Sequence, residues 1–192
     1  MKSTFRNFLR ESKGVAAIEV AFVMPFMFLL YFGLFDLTAL ISINRKVTYA
    51  ASVVVDLVSQ SKTSILKPTI ADYYKASEMV MAPISNVAVR VELFGYRKTG
   101  STIAQFWQTN NGQGGACGAA PSVAAMAPLM VSGNDLVVSR VCTTYTPYVV
   151  SFLGNNILGA TSFLVGESIT ERPRSTSQLT CYESTVGGAV CS

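Results

Sequence analysis

Residues 15–43 read VAAIEVAFVMPFMFLLYFGLFDLTALISI, and only Glu19 and Asp36 in that stretch are charged. Nothing else in the chain narrows its fold as much. The uncharged run 20–35 has 16 residues, about 24 Å of α-helix at about 1.5 Å per residue. That is short of a hydrocarbon core of about 30 Å, so residues 15–18 and 37–43 must complete a span, with Glu19 and Asp36 near the two interfaces. Pro25 and Gly33 are tolerable there because neighbouring helices can satisfy freed backbone groups. A cleavable secretory signal is the rival reading. Against it, the run is longer than a usual signal core, Glu19 interrupts it, and Leu37-Thr38-Ala39 makes a poor cleavage site.

Charge is distributed as a topology signal. Lys2, Arg6, Arg10 and Lys13 against Glu11 carry +3 of the formal +4, which leaves the rest of the 192 residues nearly neutral. A basic end followed by an apolar run places the N-terminus on the cytoplasmic side, although Arg45 and Lys46 on the far side oppose that orientation. The reading is a single-pass chain with no nucleic-acid partner. Charged residues make up 14% of the chain, against roughly 25% in an ordinary soluble domain, and the mean hydropathy is +0.39.

The chain has no histidine, which removes the commonest general base and metal ligand at neutral pH. Serine and cysteine nucleophiles that need a histidine partner are excluded with it. Asp135, Glu167 and Glu171 are carboxylates that acid–base chemistry could use, but they are scattered and read as solvated surface charge. The loop Gly112-Gln113-Gly114-Gly115 lacks the Lys-Ser/Thr of a phosphate cradle. The expectation is a non-enzymatic chain with no cofactor, no metal and no small-molecule substrate. Cys117, Cys142, Cys181 and Cys191 show no C-x₂-C spacing and read as two disulfides in an oxidising compartment. Of three possible connectivities, Cys117–Cys142 and Cys181–Cys191 are favoured. The second closes a short loop through Gly187-Gly188, and the first pins the loop 110–121 to a strand. The rival joins Cys117 to the tail.

Glu19 is the most informative residue, since a carboxylate at the centre of a membrane helix costs roughly 2.5–3.5 kcal/mol, and less near an interface. It is the fifth residue after Gly14, behind a short basic leader. This arrangement resembles the type IV prepilin-peptidase signal. Gly14, Ala16, Glu19, Ala21, Pro25, Gly33 and Asp36 together resemble the opening of TadE-like proteins of the tight adherence (Flp) pilus system, with Val20 in place of the usual aromatic. Tyr49-Ala50-Ala51-Ser52, Thr143-Thr144-Tyr145-Thr146-Pro147-Tyr148 and Arg172-Pro173-Arg174 extend the resemblance to about residue 174.

The resemblance implies a minor pilin or pseudopilin needed for pilus assembly. It implies cleavage between Gly14 and Val15, a role for Glu19 in assembly registry, and a place for Asp36 at the membrane interface. The partners it implies are a prepilin peptidase, other pilin-like subunits and an inner-membrane assembly platform. The chain would sit in the bacterial inner membrane with its C-terminal domain in the periplasm, or enter the extracellular pilus. A signal-anchored periplasmic ligand-binding or sensor domain is the alternative.

Beyond residue 43, Val47, Ala50, Ala51, Val54, Leu57 and Val58 continue a helical stripe. Pro68 and a capping-box-like Thr69…Asp72 open a second helix that Pro83 ends, with Tyr73, Tyr74, Ser77 and Val80 on its inner face. From residue 86 the period becomes two, with Val87, Val89, Val91 and Leu93 inward and Arg90 and Glu92 outward. A turn at Lys98-Thr99-Gly100-Ser101, a second strand over 103–108, a helical turn within 122–130, and strands over 136–146 and 162–170 follow, with a loop through Gly154-Asn155-Asn156 between the last two. The expected class is α+β and pilin-like: a transmembrane helix continuing into a soluble helix, a second short helix, and an antiparallel sheet of about four strands. Its parts are a leader at 1–14, a transmembrane helix at 15–43, a periplasmic head at 44–174 and a tail at 175–192.

Overall fold

The computed structural model describes residues 12–62, 64–82, 88–149, 162–174 and 178–191. The chain divides into two compact units, one of residues 1–40 with 146–161 and one of residues 41–145 with 162–192. Helix α1, Ser12–Ser59, contributes to both.

In the first unit α1 is apolar all round. Phe22, Phe26, Leu30 and Leu34 are all more than half exposed, as are Ile18, Val20 and Val23. Large apolar side chains on every face are characteristic of a helix solvated by lipid. Among the described residues α1 is the helix long and apolar enough to cross a membrane. From residue 41 onward, in the second unit, the same helix becomes one-sided. Val47, Ala50, Ala51, Val54, Val55 and Val58 are buried. Leu57, expected on that stripe, is only half-buried, and Val55 takes its place.

The head has the expected α+β composition. Strands β2 (Val89–Thr99), β3 (Thr102–Asn110), β4 (Asp135–Tyr145) and β5 (Phe163–Glu171) form an antiparallel sheet of order β3-β2-β4-β5. Strands β2 and β3 are joined by Gly100-Ser101, and Gly100 supplies the φ of +62° that a tight two-residue hairpin needs. Helix α2, Lys67–Met81, buries Ile70, Tyr74, Ser77 and Met81, a stripe that differs from the expected one in leaving Tyr73 and Val80 half-exposed. Its start has no side-chain cap, and Pro68 lies in the first turn. Thr69 and Asp72 therefore do not form a capping box. The chain enters the helix directly from the short strand β1, Ser64–Leu66, and a proline at the helix start is pre-set for it.

The tail forms a further strand. Strand β6, Thr180–Tyr182, pairs in parallel with β1 (Ile65 opposite Cys181). Leu179 is fully buried. Its carbonyl accepts from Trp107 Nε1 at 3.0 Å and its N–H donates to Asp135 Oδ2 at 2.7 Å. Trp107 lies over Gly95, where a Cβ would come 2.0 Å from the indole nitrogen, so a glycine is required in mid-strand by this close approach.

Burial on both faces of β2 corrects the expected half-buried strand. Val89, Val91 and Leu93 are inward as expected, yet Glu92, Phe94 and Tyr96 on the opposite face are buried too. A short helix α3 (Val123–Met126) and the 3₁₀ turn Ala127–Leu129 close over that face. There Met126 and Met130 pack with Phe94, Tyr96, Leu136 and Val138. The expected Val87, Pro83 and the loop through Gly154-Asn155-Asn156 lie outside the described residues, as does most of the leader.

Candidate functional site: two carboxylates on an apolar helix

Within the first unit α1 carries Glu19 and Asp36, and the chain treats them oppositely. Asp36 is buried. Its Oδ1 accepts the backbone N–H of Tyr148 at 2.8 Å and its Oδ2 that of Val149 at 2.9 Å. Tyr148 and Val149 are helical, so these N–H groups belong to a helix start, where donors lack intrahelical partners and the backbone dipole favours a negative charge. The Phe35 and Tyr148 rings meet edge to face, 5.5 Å between centroids. Asp36 was expected only as an interface residue, and its partners lie 112 and 113 positions away. No local pattern connects them.

Glu19 is exposed and, among the described residues, makes no hydrogen bond or ion pair. It stands at the rim of a shallow concavity of about 300 Å³ formed with Val20, Val23, Met24 and Met27, residues at helical i, i+3 and i+4 spacing. The Gly14–Val15 peptide lies within α1.

The head has its own polar cluster, on the face of β2 expected to be wet and completed by Arg140 of β4. Glu92 accepts from Arg90 Nε at 2.9 Å through Oε1 and from Arg140 Nε at 2.9 Å through Oε2. Cys117 N–H adds a long contact of 3.5 Å to Oε1. Arg140 also donates to the carbonyls of Gly118 and Ala119, and Arg90 to that of Gln113. Burial opposes ionisation of Glu92, but the hydrogen bonds from Arg140 and Arg90 outweigh it and hold the carboxyl below its ordinary range. The loop over this cluster is pinned by the Cys117–Cys142 disulfide. Asn111 continues the β2 ladder past β3, with its side chain bonding Val91 N–H at 3.1 Å and Val89 carbonyl at 2.7 Å. The polar cavity left beside Arg90, Glu92 and Arg140 has about 230 Å³, and its guanidinium groups are already occupied by Glu92 and loop carbonyls.

The three carboxylates considered for acid–base chemistry do not converge. Asp135 is buried, a correction to the surface-charge reading, and pairs with Arg97 at 2.7 Å and 2.8 Å. That bond raises the Arg97 guanidinium pKa further. Glu171 accepts from the Ser59 hydroxyl at 3.0 Å, and Glu167 is exposed. Cys181 is joined to Cys191, so both favoured cysteine pairings are the ones present. Among the described residues no group of three His, Cys, Asp or Glu could hold a metal ion.

Residues 14–56 match the family model of TadE-like proteins, the family that the opening of the chain resembles. The match contains Gly14, Glu19, Pro25, Gly33 and Asp36 and ends near the close of α1. The strands and tail lie outside it, so it is narrower than the resemblance read along the sequence. No curated protein and no solved structure matches the chain.

Proposed function

We propose that this chain is a minor pilin or pseudopilin of a tight adherence (Flp) pilus, a structural, non-enzymatic subunit whose assembly contact is centred on Glu19. The observation that carries this reading is the difference between the two carboxylates of α1. Asp36 is satisfied within the chain, whereas Glu19 stands unpaired among the described residues on an apolar surface. A charge left unpaired in low dielectric is costly, and pairing makes it tolerable. Its complement is an ammonium from outside the chain. Cleavage after Gly14 by a prepilin peptidase would create one on Val15 of a neighbouring pilin-like subunit, four residues from that neighbour's own Glu19.

The basic leader, the apolar helix and the disulfides support an inner-membrane chain with its N-terminus cytoplasmic and its head periplasmic, delivered to the assembly platform of the same system. A ligand-sensing head is less supported, because the guanidinium groups of its polar cavity are engaged internally.

Glu19→Gln in the native host tests the reading. The head should stay folded and membrane-bound while piliation or association with partner pilins is lost. Piliation at the wild-type level, at normal protein abundance, would overturn the assembly role.

A further inference from the structure

From the Asp36 clasp we infer that Tyr148 is a second membrane contact, held at the lipid headgroup level beside the Asp36 end of the apolar run of α1. Three observations converge on it. Asp36 directly follows the uncharged run 20–35, so it stands where the apolar span ends. Its carboxylate binds the N–H groups of Tyr148 and Val149, which fixes that backbone to the helix at this one level. The aromatic pair thus created is open to the surroundings: Tyr148 is 58% exposed and Phe35 52%. Tyr31, one turn before Phe35, and Leu34 are exposed as well.

This surface adjoins the exposed apolar side chains of the span and includes the rings of Tyr31, Phe35 and Tyr148. Tyrosine is enriched at membrane–water boundaries because its ring is apolar and its tip polar. The occupant is therefore the lipid headgroup interface at the Asp36 end of the span, and Asp36 is a positioning residue for the contact. Without that carboxylate, the N–H groups of Tyr148 and Val149 would lose the acceptor that holds them to α1.

The inference rests on the reading of α1 as a membrane span, and its test separates the two. Full-length protein is reconstituted into phosphatidylethanolamine–phosphatidylglycerol vesicles, with a Tyr148→Trp variant read against the wild-type background of Trp107. The added emission should lose most of its intensity to lipids brominated near the headgroup and little to aqueous iodide. Asp36→Ala in the same background should reverse that preference. Emission quenched by iodide and untouched by brominated lipid overturns the contact. Lipid quenching that persists in the Asp36→Ala variant overturns the role given to Asp36. Failure of the wild-type chain to float with vesicles overturns the membrane span itself.

Discussion

The two units of this protein bury opposite things. In the first, large apolar side chains such as Phe22 and Phe26 face outward while the carboxylate of Asp36 is buried. In the second, Val91, Leu93, Val137 and Val141 are fully buried, and charges are buried with them. The carboxylates Asp36 and Glu92 are neutralised by different devices. Asp36 uses backbone N–H groups at a helix start, and Glu92 uses the guanidinium groups of Arg90 and Arg140. A backbone donor adds no side chain to an apolar surface, which suits a helix in lipid. A water-surrounded head has room for arginine stems, which can pack their methylenes while their charge is paired. Among the described residues Glu19 has neither device, and the proposed assembly contact rests on that difference.

The comparison is broken most forcefully at Glu92. Glu92→Ala leaves the half-buried Arg90 and Arg140 without their counter-charge and should destabilise the head by about 3 kcal/mol through the loss of charged hydrogen bonds, seen in denaturant unfolding, while resistance of the protein to alkaline extraction from membranes is unchanged. The same residue gives a pH dependence. Its folded carboxyl is held below the ordinary range, so its contribution is full above the unfolded value of about 4.3 and is lost as pH falls through the folded value. Glu92→Gln should flatten the acid limb of head stability. An acid limb identical to wild type would remove the charge pairing from the explanation.

Replacing Cys117 and Cys142 together by serine frees the loop over that cluster. The loss should be about 3 kcal/mol from the unfolded chain alone, with added protease sensitivity between residues 110 and 121. Trp107→Phe deprives the Leu179 carbonyl of its donor and should cost about 1–3 kcal/mol, loosening the tail without altering the sheet, as amide exchange at β6 against β2 would report.

The smallest effect has the opposite sign. Ser139 Oγ is buried with no hydrogen-bond partner among the described residues. Ser139→Ala should therefore be neutral or stabilise the head by up to about 1 kcal/mol. A clear destabilisation would mean that the hydroxyl has a partner.

What could be read from the sequence follows from how far apart the cooperating residues lie. The long helix announces itself over consecutive residues. The β2–β3 hairpin is signalled by the turn Lys98-Thr99-Gly100-Ser101 after an alternating run, and Cys181–Cys191 closes across a separation of 10. The missed features are non-local or concealed. Asp36 meets residues more than a hundred positions away. Strands β1 and β6 are three residues each, too short to show a period, and pair in parallel across the whole head. The alternation of Arg90 and Glu92 looks like a wet face because charge pairing, completed by Arg140 on another strand, hides the burial of Glu92. One signal was available: Gly95 in the middle of a strand points to a close approach, and Trp107 fills it.

The most direct test of Glu19 as an assembly residue is the mature N-terminus. If Glu19 pairs with the amino group of a neighbouring subunit, that amino group must first be made. Intact-mass analysis of the protein from cells with an active prepilin peptidase should show a chain beginning at Val15, and a bulky replacement of Gly14 should abolish the change. A chain that retains residues 1–14 in those cells would contradict the processing on which the Glu19 contact depends.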